Sequence, residues 1–163
     1  MNVIFYTLLL LHLFFAIIFI GGSFFIWIVV WPASYQITGE EKQRTLLVGK
    51  IAKRFAYFTH ASLIILVSTG LALGYFYLGG NIGNLFATAG GRILLSKAIL
   101  VLIMIITIYV NNLYHGRKIT RLAREGKIAE VQRIRKITHL ISFVSLGMLI
   151  GIVGLAVALQ MFQ

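Results

Sequence analysis

Four long apolar runs decide what this chain can become. Residues 3–31 and 55–78 carry no charge, residues 93–114 carry only Lys97, and residues 137–162 carry none. Each run exceeds the ~20 residues that cross ~30 Å of hydrocarbon as a helix. Periodicity adds little, because a helix facing lipid is apolar all round. The expected fold is all-α: an integral membrane four-helix bundle forming one transmembrane domain over residues 1–163. The expected helices cover about residues 3–31, 40–78, 92–124 and 128–162. The start of the chain has no basic stretch, and its first run outlasts the roughly 7–15 apolar residues of a signal peptide, so it reads as a retained span.

Composition excludes several functions. Hydrophobic residues make up 60% and charged residues 12%, against about 25% charged in soluble proteins. A net charge of +11 would suit nucleic acid if it lay on a folded surface. Here the charges sit between apolar runs, so the expected partner is the lipid bilayer and its anionic head groups, with no nucleic acid. The absence of Cys removes disulfides, thiolate metal sites and iron–sulfur clusters. There is no Asp, and Glu40, Glu41, Glu125 and Glu130 all lie in connecting segments, which leaves no paired carboxylates for hydrolysis.

Lys and Arg set the orientation. Lys42, Arg44, Lys50, Lys53 and Arg54 follow the first span. Arg117, Lys118, Arg121, Arg124, Lys127, Arg133, Arg135 and Lys136 follow the third, whereas residues 79–91 are uncharged. The positive-inside rule places both basic segments in the cytoplasm and both termini outside, in a multi-pass protein of the cell (inner or plasma) membrane. Trp27 and Trp31 inside, with Tyr75 and Tyr77 outside, suit the two interfaces. Thr38-Gly39-Glu40-Glu41 has capping-box spacing, with Thr38 as N-cap. Gly126 can supply the left-handed turn of a basic helical hairpin, and residues 79–84 read as a flexible loop.

Ionisable side chains at membrane depth are costly and are functional candidates. They are His12, His60, Lys97, His115 and His139. By helical rise, His12 lies about 13 Å and Lys97 about 7 Å below the outer ends of their spans. The pair can meet in the outer half. His60, His139 and His115 lie about 9, 4 and 3 Å above the basic residues that border them, in the inner half. In the third span Lys97, Met104, Asn111 and His115 recur near the helical period and mark a polar seam. Histidines facing one another inside a bundle suggest haem or metal ligation. The plain alternatives are that Lys97 snorkels, His115 and His139 meet lipid phosphates, His60 bonds a neighbouring helix, and Met104 packs.

One ordered set of residues carries a resemblance. His12 is followed by Gly21-Gly22 and Pro32, Arg54-Phe55 by Thr69-Gly70, and the third span opens with Gly91-Arg92-Ile93-Leu94-Leu95-Ser96-Lys97. This set resembles the membrane domain of the copper-resistance D family, which implies a four-helix module for copper import or handling. It is more distantly similar to the membrane-bound, oxygen-independent protoporphyrinogen oxidase family, which pairs a first-helix His with a third-helix Lys and is associated with b-type haem. Pro32 comes late after His12 for that enzyme pattern. Only Met104 and Met148 lie within the spans, few thioethers for Cu(I).

Three functions are therefore expected in order. The first is a b-type haem protein for electron transfer or quinone-linked redox, and if an enzyme, a membrane oxidoreductase. Its cofactor would be held by His12, His60, Lys97, His115 and His139, with His12, His60 and His139 as metal ligands, and its partner would be a quinone or a redox protein. The second is copper import or handling. The third is a structural subunit of a larger membrane complex. Gly70 and Gly74, with Gly147, Gly151 and Gly154, also permit close helix contact in a homodimer.

Overall fold

The computed structural model describes residues 3–162. It is helical throughout, with no strand among the described residues. Four helices are long and apolar enough to cross a membrane: α1 (Val3–Ile37), α2 (Glu41–Tyr77), α3 (Ala89–Arg124) and α4 (Ile128–Gln160). Helices α1 and α2 pack as one antiparallel hairpin and α3 and α4 as another. The two hairpins meet where α2 packs on the basic end of α3. One end of the bundle carries both basic connections, and the other carries the uncharged loop between α2 and α3. These are called here the basic end and the loop end.

Helix α1 runs past its expected limit. It was expected to stop near residue 31, before Pro32, yet it continues to Ile37. Pro32 has no N–H, and its ring presses on the carbonyl four residues back, which ordinarily breaks a helix. Here a π-helical turn at Ile26–Val30 lies just upstream, and its wider i→i+5 spacing accommodates the proline without ending the helix. A second π-helical turn, Asn111–Gly116, interrupts α3. It rotates His115 away from the line a uniform 3.6-residue period would give.

Local chemistry at the helix ends divides into what was expected and what was not. Gly126 sits at φ 74° and closes the α3–α4 hairpin over a small buried cluster of Leu122, Ala123 and Val131. In the same turn the Lys127 ammonium bonds Glu125 at 2.9 Å and holds that carboxyl below its ordinary range. The capping box at Thr38 does not form. Glu40 occupies the N-cap with no side-chain cap bond, and the Thr38 hydroxyl instead accepts the Glu40 N–H at 3.2 Å. Glu41 is drawn elsewhere, into ion pairs with Arg44 and Arg135, and charged partners outcompete a backbone N–H.

The uncharged connection is more ordered than a flexible loop. It contains a helical turn, Asn84–Ala87, and Thr88 caps α3 by accepting the Gly91 N–H at 2.9 Å. A Cβ on Gly91 would overlap the backbone of Asn84 and Leu85, so only glycine lets the loop fold down onto α3.

Candidate functional site

The interior is layered along the bundle axis. Nearest the loop end, His12 of α1 meets Thr69 of α2, with Nδ1 and Oγ1 2.7 Å apart. The Thr69 hydroxyl donates its single hydrogen to the Ile65 carbonyl at 2.6 Å. It can therefore only accept from His12, which places the imidazole proton on Nδ1 and leaves a lone pair on Nε2. Gly70 gives the ring its room: a Cβ there would stand 3.3 Å from His12 Cε1. Lys97 of α3 lies within electrostatic reach of His12. Protonated, its ammonium would repel a metal cation; neutral, it would offer a second nitrogen.

Below this layer the bundle closes. Phe19, Leu63, Met104 and Leu149, one from each helix, form a buried apolar cluster. Met104 places a thioether in the middle of it.

On the basic side of that plug lies a cavity of about 270 Å³ lined by all four helices. Phe19 and Leu149 form its floor, and Trp27, Trp31 and Phe55 its aromatic walls. Its polar edges are His139, Asn111, Thr59 and a run on α4, Thr138, Ser142 and Ser145. Both π-helical turns border it, supplying Ile26 and Trp27 from α1 and Asn111 and Asn112 from α3. Such turns concentrate at functional sites. His139 stands edge-on to Trp27 and Trp31, at 5.0 and 4.6 Å between ring centres. Asn111 donates to Ser142 across 3.4 Å, while its buried Oδ1 has no partner among the described residues.

A charged cluster crosses the bundle beside this cavity. Arg135 of α4 reaches Glu41 and Thr45 of α2, and Arg44 shares the same carboxylate. Arg44 lies over the Tyr35 ring at 3.9 Å and Arg135 over Trp31 at 5.2 Å. The cluster ties α1, α2 and α4 together at the basic end.

The remaining histidines go elsewhere. His60 bonds the Tyr109 hydroxyl at 2.8 Å and stacks on its ring, the helix-bridging role open to it from the start. His115 packs edge-on to Tyr114, and its buried Nδ1 has no partner among the described residues. Thus His60, His115 and His139 do not converge. No three His or Glu side chains among the described residues come together to hold a metal, and no histidine contacts another. Two members of the α3 seam face inward, with Met104 3% and Asn111 7% exposed, while Lys97 and His115 are half-buried. Thr59, Ser142 and Ser145 escaped the sequence reading, although the 138, 142, 145 spacing marks one face of α4.

Fold and interior together define a small polytopic membrane protein whose polar groups form two layers separated by an apolar plug. Residues 49–159 match the sequence model of Copper resistance protein D. The chain belongs to that family. The match spans α2 to α4, and His12 with Gly21-Gly22 lies before it. No match appears among curated proteins or among solved structures.

Proposed function

We propose that this protein handles copper within the membrane, with His12 as the residue that first takes the ion. Family membership supports copper as cargo, and the observation that carries the reading is the His12–Thr69–Ile65 chain, which presents an unprotonated Nε2. Neutral imidazole is a suitable copper ligand, while Cu(I) prefers soft donors. One imidazole near the loop end, one thioether in the plug at Met104 and one imidazole at His139 make a sparse series of single donors. A series of that kind favours transient contact over storage. By the positive-inside rule the His12 layer lies toward the outside and the cavity toward the cytoplasm, so transfer would run inward along the α3 seam.

The test is Cu(I) competition against a chromophoric chelator, with copper content of cells expressing the protein as the second readout. His12→Ala should lower both. Equal copper retention by the wild type and His12→Ala would remove the proposal. A second reading uses the same free nitrogen as an axial ligand to a b-type haem in an electron-transfer protein. A Soret band in the purified protein that shifts on dithionite reduction, and disappears in His12→Ala, would select it over copper.

A further inference from the structure

The cavity at the basic end enters the copper reading through His139 alone, and the rest of its chemistry selects a different ligand. No Lys, Arg or Glu lines it, so a charged ligand would lack a counter-ion. A metal ion would meet one imidazole and neither thiolate nor carboxylate. The ligand that fits is neutral.

The hydrogen-bonding inventory narrows it further. Ser23, Thr138 and Ser145 donate their hydroxyl hydrogens to carbonyls of their own helices. Ser142 accepts from Asn111 and retains its hydrogen. Thr59 and His139 make no hydrogen bond among the described residues, and Asn111 Oδ1 is a buried acceptor with no donor facing it. The unused groups therefore include two hydroxyl donors, the buried Asn111 acceptor, the Asn112 carboxamide, the indole N–H groups of Trp27 and Trp31, and an imidazole that can donate or accept. They share the cavity lining with the rings of Trp27, Trp31 and Phe55.

We propose that this cavity binds the ring of a membrane quinone or its quinol. The carbonyl oxygens of the quinone would accept from Ser142, Thr59 and His139, and a quinol hydroxyl would donate to Asn111 Oδ1. Both redox forms thus find partners, which a purely apolar pocket would not offer. The α1–α4 seam at this level consists of rings, with Trp27 against Phe143 at 4.7 Å and Phe143 59% exposed. A ligand dissolved in the bilayer meets that seam directly.

The chain has two tryptophans, and both line the cavity, so intrinsic fluorescence reads it without a label. Purified protein in detergent would be titrated with decylubiquinone and, in parallel, with decylbenzene, which lacks the ring oxygens. Saturable quenching by the quinone alone is expected. His139→Phe should weaken it about tenfold, the factor for one lost hydrogen bond, and Asn111→Ala should weaken binding of decylubiquinol, and not of the quinone, by a similar factor. Thr59→Val, nearly isosteric and checked for folding by circular dichroism, should weaken the quinone's quenching several-fold. His12→Ala should leave it unchanged, which separates this site from the copper reading. Linear quenching alike for both compounds, or midpoints unmoved in folded Thr59→Val and His139→Phe, would overturn the proposal.

Discussion

His12 donates to Thr69 across the α1–α2 interface at 2.7 Å, and Thr69 passes its own hydrogen to the Ile65 carbonyl. The bond therefore does two things at once. It joins the helices, and it selects the tautomer that keeps Nε2 available. Thr69→Val preserves shape but removes the acceptor, leaving a half-buried N–H unpaired at a cost of about 1–3 kcal/mol. Thermal unfolding in detergent should show that loss, and Thr69→Ser should recover most of it. Chelator competition should show weaker copper retention in Thr69→Val than in Thr69→Ser. Equal retention would mean that the tautomer is immaterial.

The same hairpin contains a steric match. A Cβ on Gly22 would overlap the ring of Phe55, so two residues from separate short motifs need each other's shape. Gly22→Ala should destabilise the protein by about 1–3 kcal/mol, the usual cost of overpacking. Phe55→Leu in the Gly22→Ala background should return part of that loss, giving a favourable coupling in a double-mutant cycle. Additive effects would indicate that the helices simply shift apart.

These pairs explain how much the sequence could reveal. The four spans were legible because hydrocarbon thickness translates directly into run length, and Gly126 because a short hairpin needs a left-handed residue. The motif residues His12, Gly22, Phe55, Thr69 and Gly70 were legible as an ordered set. That they contact one another, His12 with Thr69 and Gly70 and Gly22 with Phe55, was not, because the rotation of one helix against its neighbour is written in packing rather than in period. The π-helical turns were hidden for the same reason. Pro32 suggested an end to α1, and only the wide turn before it lets the helix continue. The Thr38 capping box failed because its spacing is local, whereas Glu41 is claimed by Arg135, 94 residues away. One His per helix suggested a shared inner centre, yet the Tyr109 hydroxyl engages His60 and the two tryptophans take His139.

The Glu41 cluster gives an asymmetric prediction. Arg44 and Arg135 both rest on one carboxylate, and Arg44 is only 8% exposed. Glu41→Gln would leave two guanidinium groups facing each other, while Arg135→Gln would leave the Glu41–Arg44 pair intact. Glu41→Gln should therefore cost about 3 kcal/mol or more, and Arg135→Gln distinctly less. Denaturation of the two variants in the same detergent checks the order. The reverse order would mean that the carboxylate is held mainly by Arg135.

Orientation can be tested with little background, because the chain contains no cysteine. All of its 15 Lys and Arg residues except Arg92 and Lys97 lie in the two basic segments, and translocating such segments across a bilayer is strongly disfavoured. Ile82 is 65% exposed in the uncharged loop, and Ala129 is exposed near the start of α4, just beyond the basic hairpin turn. In intact cells, Ile82→Cys should react with a membrane-impermeant maleimide, and Ala129→Cys should react only after permeabilisation. Both substitutions replace solvent-facing side chains, so neither should disturb the bundle. Labelling of Ala129→Cys in intact cells with protection of Ile82→Cys would invert the protein. It would place His12 on the cytoplasmic side and turn the proposed inward transfer of copper into export.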